Sequence, residues 1–211
     1  MDDRSVNAPL PSASGSSSRG FSKSYAWYAL SVLTFINLIN YLDRYVLPSV
    51  AESVKATFHI DDAKLGTLQS AFFFVYMFAS PLAGYLGDRI SRRILIVVGI
   101  GLWSAATVST AFADSYPHLW LARAATGIGE AGYGVVAPAF LSDLFSKERR
   151  ARTLSVFYLA LPVGTAAGYA FGGWVGHNLG DTGPNEHTAP LCFLGLHDGW
   201  RYAFCWEGSP G

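Results

Sequence analysis

The sequence predicts an all-α membrane protein, with about five complete transmembrane helices and the start of a sixth. Three observations carry this. Half of the 211 residues are hydrophobic (51%) and only 14% are charged, too few charges to cover a soluble domain of that size. The apolar residues fall in long blocks, not in amphipathic stripes. Basic residues crowd alternate connections between those blocks, the pattern of a chain that crosses a bilayer repeatedly.

Residues 1–24 are rich in Ser, Gly, Pro and Asn and read as a disordered cytoplasmic tail. They lack the uninterrupted apolar stretch of a secretory signal. A bilayer span takes about 20 mostly apolar residues. Such stretches run from Tyr25 to Val46, Leu65 to Leu86, Ile94 to Ala113, His118 to Phe145 and Leu154 to Gly176, which makes 25–178 a five-helix bundle. Helices of a soluble core would need polar faces, and Ile94 to Ala113 carries no charge anywhere. The link after the second span carries Arg89, Arg92 and Arg93, and the one after the fourth carries Lys147, Arg149, Arg150 and Arg152. The first link has only Lys55 and Lys64, and the third has none. Basic residues favour the cytoplasmic side, so the amino terminus and the even links lie inside, as in a multi-pass protein of a plasma or inner membrane. Residues 179–211 read as an extracytoplasmic loop and a truncated start of a sixth helix at Trp200-Arg201-Tyr202-Ala203-Phe204, in an incomplete chain. Cys192 and Cys205 show neither metal-ligand nor redox spacing and read as incidental.

Charges inside the spans demand explanation. Asp43 and Arg44 in the first, and Arg123 and Glu130 in the fourth, would together cost about 10 kcal/mol if deep and unpaired. Pairing or a wet cavity removes that cost, and Arg44 or Arg123 could alternatively snorkel to an interface. Helical spacing groups these residues with others. Arg123, Gly127, Glu130 and Gly134 share one face of the fourth span. Asn37, Asn40, Tyr41 and Arg44 share one in the first, flanked by Asp43. Gln69, Phe73, Tyr76 and Ser80 do so in the second, and Tyr158, Pro162, Thr165 and Tyr169 in the fifth. Four such faces predict a common cavity lined by Asn37, Tyr41, Arg44, Gln69, Phe73, Tyr76, Glu130 and Tyr158. Hydrogen bonding between helices explains the Asn, Ser and Thr members equally well. Gly164, Gly168 and Gly172, like the glycines around Gly129, read as close helix packing. Pro48, Pro81, Pro138 and Pro162 are expected to bend their helices.

The run Gly84-Tyr85-Leu86-Gly87-Asp88-Arg89-Ile90-Ser91-Arg92-Arg93 closely resembles the signature that the major facilitator superfamily carries between its second and third helices, with Ser91 in place of the usual glycine. Within that superfamily, Asn40-Tyr41-Leu42-Asp43-Arg44-Tyr45 and the run from Arg123 to Tyr133 resemble the Spinster family. So do Ala137-Pro138, Asp143-Leu144-Phe145 and the run from Leu154 to Tyr158. The resemblance covers about Tyr25 to Gly180. It implies the amino-terminal helical bundle of a twelve-helix, proton-coupled secondary transporter that works by alternating access, in a family associated with lysolipids and sphingoid phosphates. It places Asp43 and Arg44 in coupling and gating, Glu130 and Arg123 at the substrate and proton site, and Gly84, Asp88, Arg89, Arg92, Arg93 and Asp143 in a cytoplasmic gate. The antiporter motif of the superfamily is only loosely matched in the fifth span, which leaves exchange and symport open.

The leading expectation is transport of an amphipathic, lipid-like solute together with protons. A sugar acid or other small organic anion, anchored through Arg44 or Arg123, is the alternative within transport, and a non-transporting membrane fragment is the alternative outside it. The expected partners are the bilayer, the solute, protons and the missing carboxyl-terminal half. A net charge of zero argues against nucleic acid. An enzyme is not expected, since the chain shows no nucleophile-base arrangement, metal-ligand cluster or phosphate loop; no cofactor is implied. Asp43, next to Arg44 and near the wet outer end of its helix, competes with Glu130 as the proton carrier.

Overall fold

The computed structural model describes residues 22–179 together with Trp200, Arg201, Ala203 and Phe204. The predicted tail up to residue 21, the predicted loop and sixth-helix start beyond Leu179 apart from those four residues, and both cysteines lie outside the described residues. The described residues form seven α-helices and no strand: α1 (Lys23–Ser49), α2 (Ala51–Phe58), α3 (Asp62–Arg89), α4 (Arg92–Ala111), α5 (Tyr116–Leu144), α6 (Lys147–Tyr158) and α7 (Ala160–Leu179).

Local chemistry sets the boundaries. Asp61 caps α3 by accepting from the Lys64 amide at 2.9 Å, and Ser115 accepts from the His118 amide at 3.4 Å at the start of α5. His59 ends α2 in the left-handed region, with φ 49°. Among the described residues, three helical stretches are long and apolar enough to cross a membrane: α3, α4 and the run of α6 and α7 over Lys147–Val175. The other two long helices, α1 and α5, are those that carry the charges, which lowers their hydropathy.

One helix goes beyond the sequence reading, and one span needs correction. The first link is mostly helix: α1 continues past Val46 to Ser49 and α2 follows almost at once. The fifth span starts at Lys147 and breaks at Leu159. Pro162 explains the break, because it has no amide to offer the carbonyl of Tyr158 four residues earlier.

α5 is the central element. It packs on α3 along one side and α4 along the other, while α7 packs along α1. Glycines make these approaches possible. A Cβ on Gly164 would stand 2.7 Å from the Leu38 carbonyl oxygen of α1, and one on Gly168 would stand 2.6 Å from that of Leu42. Gly129 of α5 meets the backbone of Gly99 and Trp103 on α4 just as closely. The outward faces keep large apolar side chains exposed, among them Tyr28, Phe74, Phe78 and Val97, as lipid contact requires.

Two apolar cores stack along the bundle. Leu30, Leu33, Ile96, Tyr133, Val136, Leu141, Phe145 and Phe157 fill the end where α3 meets α4. Val46, Leu47, Val54, Leu68, Leu119, Trp200 and Phe204 fill the opposite end. Between them lies a layer that holds nearly every buried polar side chain.

Candidate functional site

That middle layer takes residues 37–44 from α1, 72–76 from α3, 103–107 from α4 and 123–130 from α5. Each stretch spans about two turns or less, so each helix delivers its polar face to one level. Arg44 pairs with Glu130 across the α1–α5 gap, through Nη2 and through Nε, which donates to the same oxygen at 3.2 Å. Glu130 is 1% exposed and Arg44 19%. The guanidinium is boxed by aromatic rings, 5.0 Å from the centroid of Phe72, 5.3 Å from Tyr41 and 5.5 Å from Tyr76. These cation–π contacts stabilise a charge already removed from water.

Arg123 does not snorkel. It is buried, its guanidinium 5.5 Å from the centroid of the Phe72 ring, and its Nε and Nη2 have no hydrogen-bond partner among the described residues. It sits two turns from Glu130, and the shorter reach of Arg44 decides which arginine makes the pair. Asp43 is not at a wet helix end either: it is fully buried. The continuation of α1, the short α2 and the Trp200 segment cover the end of the bundle that the sequence left open. Asp43 turns away from Arg44 toward α4, where its Oδ2 accepts from the Trp103 indole at 2.6 Å and from the Thr107 hydroxyl at 3.0 Å. Its other oxygen, Oδ1, lacks a partner, as do Asn40 Nδ2 and Glu130 Oε1.

The predicted cavity lining divides. Tyr41 has Arg44, Tyr76, Tyr158 and Glu130 as electrostatic neighbours, so these form one group. Tyr158 is half-exposed and meets the edge of Phe157, whose carbonyl accepts from Asn37 Nδ2 at 3.1 Å. Asn37 therefore ties α1 to α6. Gln69 stands apart, lining a recess with Leu47, Pro48 and Asp62. Phe73 is 55% exposed and touches the site only through the edge of Phe72. Phe72, one residue earlier, supplies the ring beneath both arginines. Sequence reasoning missed it, along with Trp103 and Thr107. The i, i+4 spacing of the last two was the available signal, hidden in an otherwise apolar span.

A second polar cluster lies where α3, α4 and α5 end together. Arg92 pairs with Asp143 and donates to the Ala139 carbonyl at 3.1 Å and to that of Gly87 at 3.4 Å. It lies 3.7 Å from Asp88. Arg89 stacks over Tyr85 at 4.3 Å, and Arg93 lies over Tyr25 at 5.4 Å. Gly87 presses on Val136, 3.3 Å from where a Cβ would stand, whereas Gly84 has ordinary clearance.

A family model described as Major Facilitator Superfamily matches residues 33–208. "Protein spinster" of Drosophila melanogaster is 42% identical over 155 residues, covering 74% of this chain and 26% of the relative. "Protein spinster homolog 1" of Homo sapiens is 39% identical over 165 residues, covering 77% of this chain and 31% of the relative. The chain thus spans under a third of the length of these relatives. Among solved structures, a bacterial homolog to the human lysosomal transporter Spinster, in an inward-facing and unoccupied conformation, superposes with a TM-score of 0.79 at 30% identity, covering 90% of this chain and 41% of that one. The same homolog in an inward-facing and occupied conformation also gives 0.79.

Proposed function

This chain belongs to the Major Facilitator Superfamily, a family of transporters and not of enzymes, and from that premise we propose that it forms the amino-terminal bundle of a proton-coupled transporter of amphipathic, lipid-like solutes. In this reading two bundles rock about a midplane site. The amino terminus is cytoplasmic, the membrane is a plasma or inner membrane, and the carboxyl-terminal half completes the cavity. The observation that carries the reading is the buried Arg44–Glu130 pair inside its box of Tyr41, Phe72 and Tyr76. An isolated charge at that depth costs about 2.5–3.5 kcal/mol, so retaining two of them is expected only where they are used. The aromatic walls favour a solute with an apolar part, and the pair offers its polar end one anion and one cation.

Glu130 acts as the substrate-linked carboxyl, releasing Arg44 when the solute engages or a proton arrives. Asp43 acts as the proton carrier. Arg92 with Asp143, supported by Asp88, Arg89, Arg93 and Gly84, closes the cytoplasmic end when the cavity faces outward. A second reading, transport of a small organic anion, draws on Arg123, whose unpartnered donors would receive a carboxylate.

The test places the protein, expressed with whatever coding sequence follows Gly211, in vesicles with an imposed pH gradient. Uptake of fluorescent lysophosphatidylcholine is compared with that of gluconate. The lipid probe is expected to move, and Glu130→Gln and Asp43→Asn each to abolish gradient-driven movement. If both variants transport like the parent protein, neither residue carries the proton and the mechanism is wrong. Gradient-driven uptake of gluconate alone would favour the second reading.

A further inference from the structure

Asp43 and Arg44 are consecutive on α1, so their side chains leave the helix about 100° apart. Each is held by a different neighbour. Arg44 reaches α5 and pairs with Glu130, while Asp43 reaches α4 and accepts from Trp103 and Thr107. α4 cannot move independently of α5, because Gly129 brings the two backbones into direct contact at Trp103 itself. Helix α1 is therefore pinned at two adjacent residues to one rigid pair of helices. Rotation of α1 about its axis must break one tether or both.

We infer that Trp103, with Thr107 in support, is a positioning residue that fixes the rotation of α1 and so delivers Arg44 to Glu130. The inference rests on the reading of Asp43 as proton carrier and adds the means by which its protonation is felt at the ion pair. Hydrogen bonds from Trp103 and Thr107 to an anionic Asp43 are charge-assisted and stronger than those to a neutral acid. Protonating Asp43 removes that assistance and frees α1, with α7 clamped to it, to turn, which draws the Arg44 guanidinium from Glu130. No packing of α1 on α4 comparable to that of α1 on α7 would hold the helix in its place. Among the described residues the charged groups around Asp43 are Arg44, next to it on its own helix, and Glu130 on α5, whose other charged neighbour is Arg123, while α4 presents Trp103 and Thr107.

The experiment puts spin labels on α1 at Tyr28 and on α4 at Val97, both exposed, in the full-length protein in vesicles, and measures their distance distribution across pH. The parent protein is expected to give one distance at alkaline pH and a second population on acidification. Trp103→Phe keeps the ring and removes the donor, and is expected to show the second population at every pH. Thr107→Val is expected to show it in part. In an Asp43→Asn background, Trp103→Phe should change nothing further, because both act through one bond. A Trp103→Phe protein with the parent distribution overturns the inference. So does an effect of equal size in the Asp43→Asn background, which marks Trp103 as mere packing. Failure of the proton reading is separately visible as Asp43→Asn vesicles that retain gradient-driven uptake.

Discussion

Gly129→Ala is a one-methyl perturbation whose sign follows from the geometry. A Cβ at Gly129 would lie 2.8 Å from both the Gly99 carbonyl oxygen and the Trp103 Cα, and nearer still to the Trp103 amide nitrogen. Ordinary carbon contacts begin at about 3.5 Å, so α4 and α5 must separate by roughly 1 Å at this level. All three obstacles are backbone, which cannot swing aside as a side chain can. Overpacking of this kind costs about 1–3 kcal/mol. Alanine's better helix propensity returns about 1 kcal/mol, leaving a net loss of about 0–2 kcal/mol. Gly101, two residues from Gly99 on the same helix, has nothing within 4 Å of its added Cβ. There Gly101→Ala should stabilise by about 0.5–1 kcal/mol. Thermal unfolding of both variants in the same lipid nanodiscs measures the contrast. A Gly129→Ala protein that melts above the parent temperature, or as high as Gly101→Ala, refutes the close approach of α4 and α5. A Gly101→Ala protein that melts well below it refutes the assignment of that face as open.

The Arg92–Asp143 pair is partly exposed, with side-chain exposures of 28% and 59%, so Asp143→Asn should change stability by no more than about 1 kcal/mol. Arg92→Ala should cost more, because it also removes donors to the Ala139 and Gly87 carbonyls; equal losses in unfolding measurements would contradict this. Lys55 hydrogen-bonds Asp62 and then Glu52, which pushes its amine from 10.5 up to about 12. The stabilising contribution is therefore complete below about 10.5 and is lost as pH rises through about 12. Acylation of Lys55 at pH 9, followed by peptide mass spectrometry, should be slow and should accelerate in Asp62→Asn/Glu52→Gln; an unchanged rate would show that the two carboxylates do not hold the amine.

Charge within apolar runs was the legible part of the site. Asp43, Arg44, Arg123 and Glu130 stood out because lipid penalises them, and helical spacing put Arg123 and Glu130 on one face. Spacing along one helix cannot say which neighbour a side chain meets. Asp43 was therefore grouped with Arg44 by adjacency, although 100° of helix sends it to Trp103 on another element. The same 100° separates Phe72 from Phe73: both are phenylalanines in an apolar run, and only the packing of α3 on α5 tells which ring lies beneath the arginines. Pro162 announced a bend in the fifth span. The break at Leu159 follows from that proline, whereas the helix of α2 depends on end-packing against Trp200 and Leu119 that composition does not encode.

The break at Leu159 gives the fifth span two arms with different attachments. Beyond it, α7 is gripped by α1 through Gly164, Gly168 and Gly172 and packs along nothing else to comparable extent. Before it, α6 leans on both α1 and α5. A carbonyl without its helical donor is a weak point in an otherwise continuous ladder of hydrogen bonds. The span is thus a jointed rod, with the α7 arm clamped to α1 and the α6 arm braced between α1 and α5, and its joint falls at Tyr158 and Leu159.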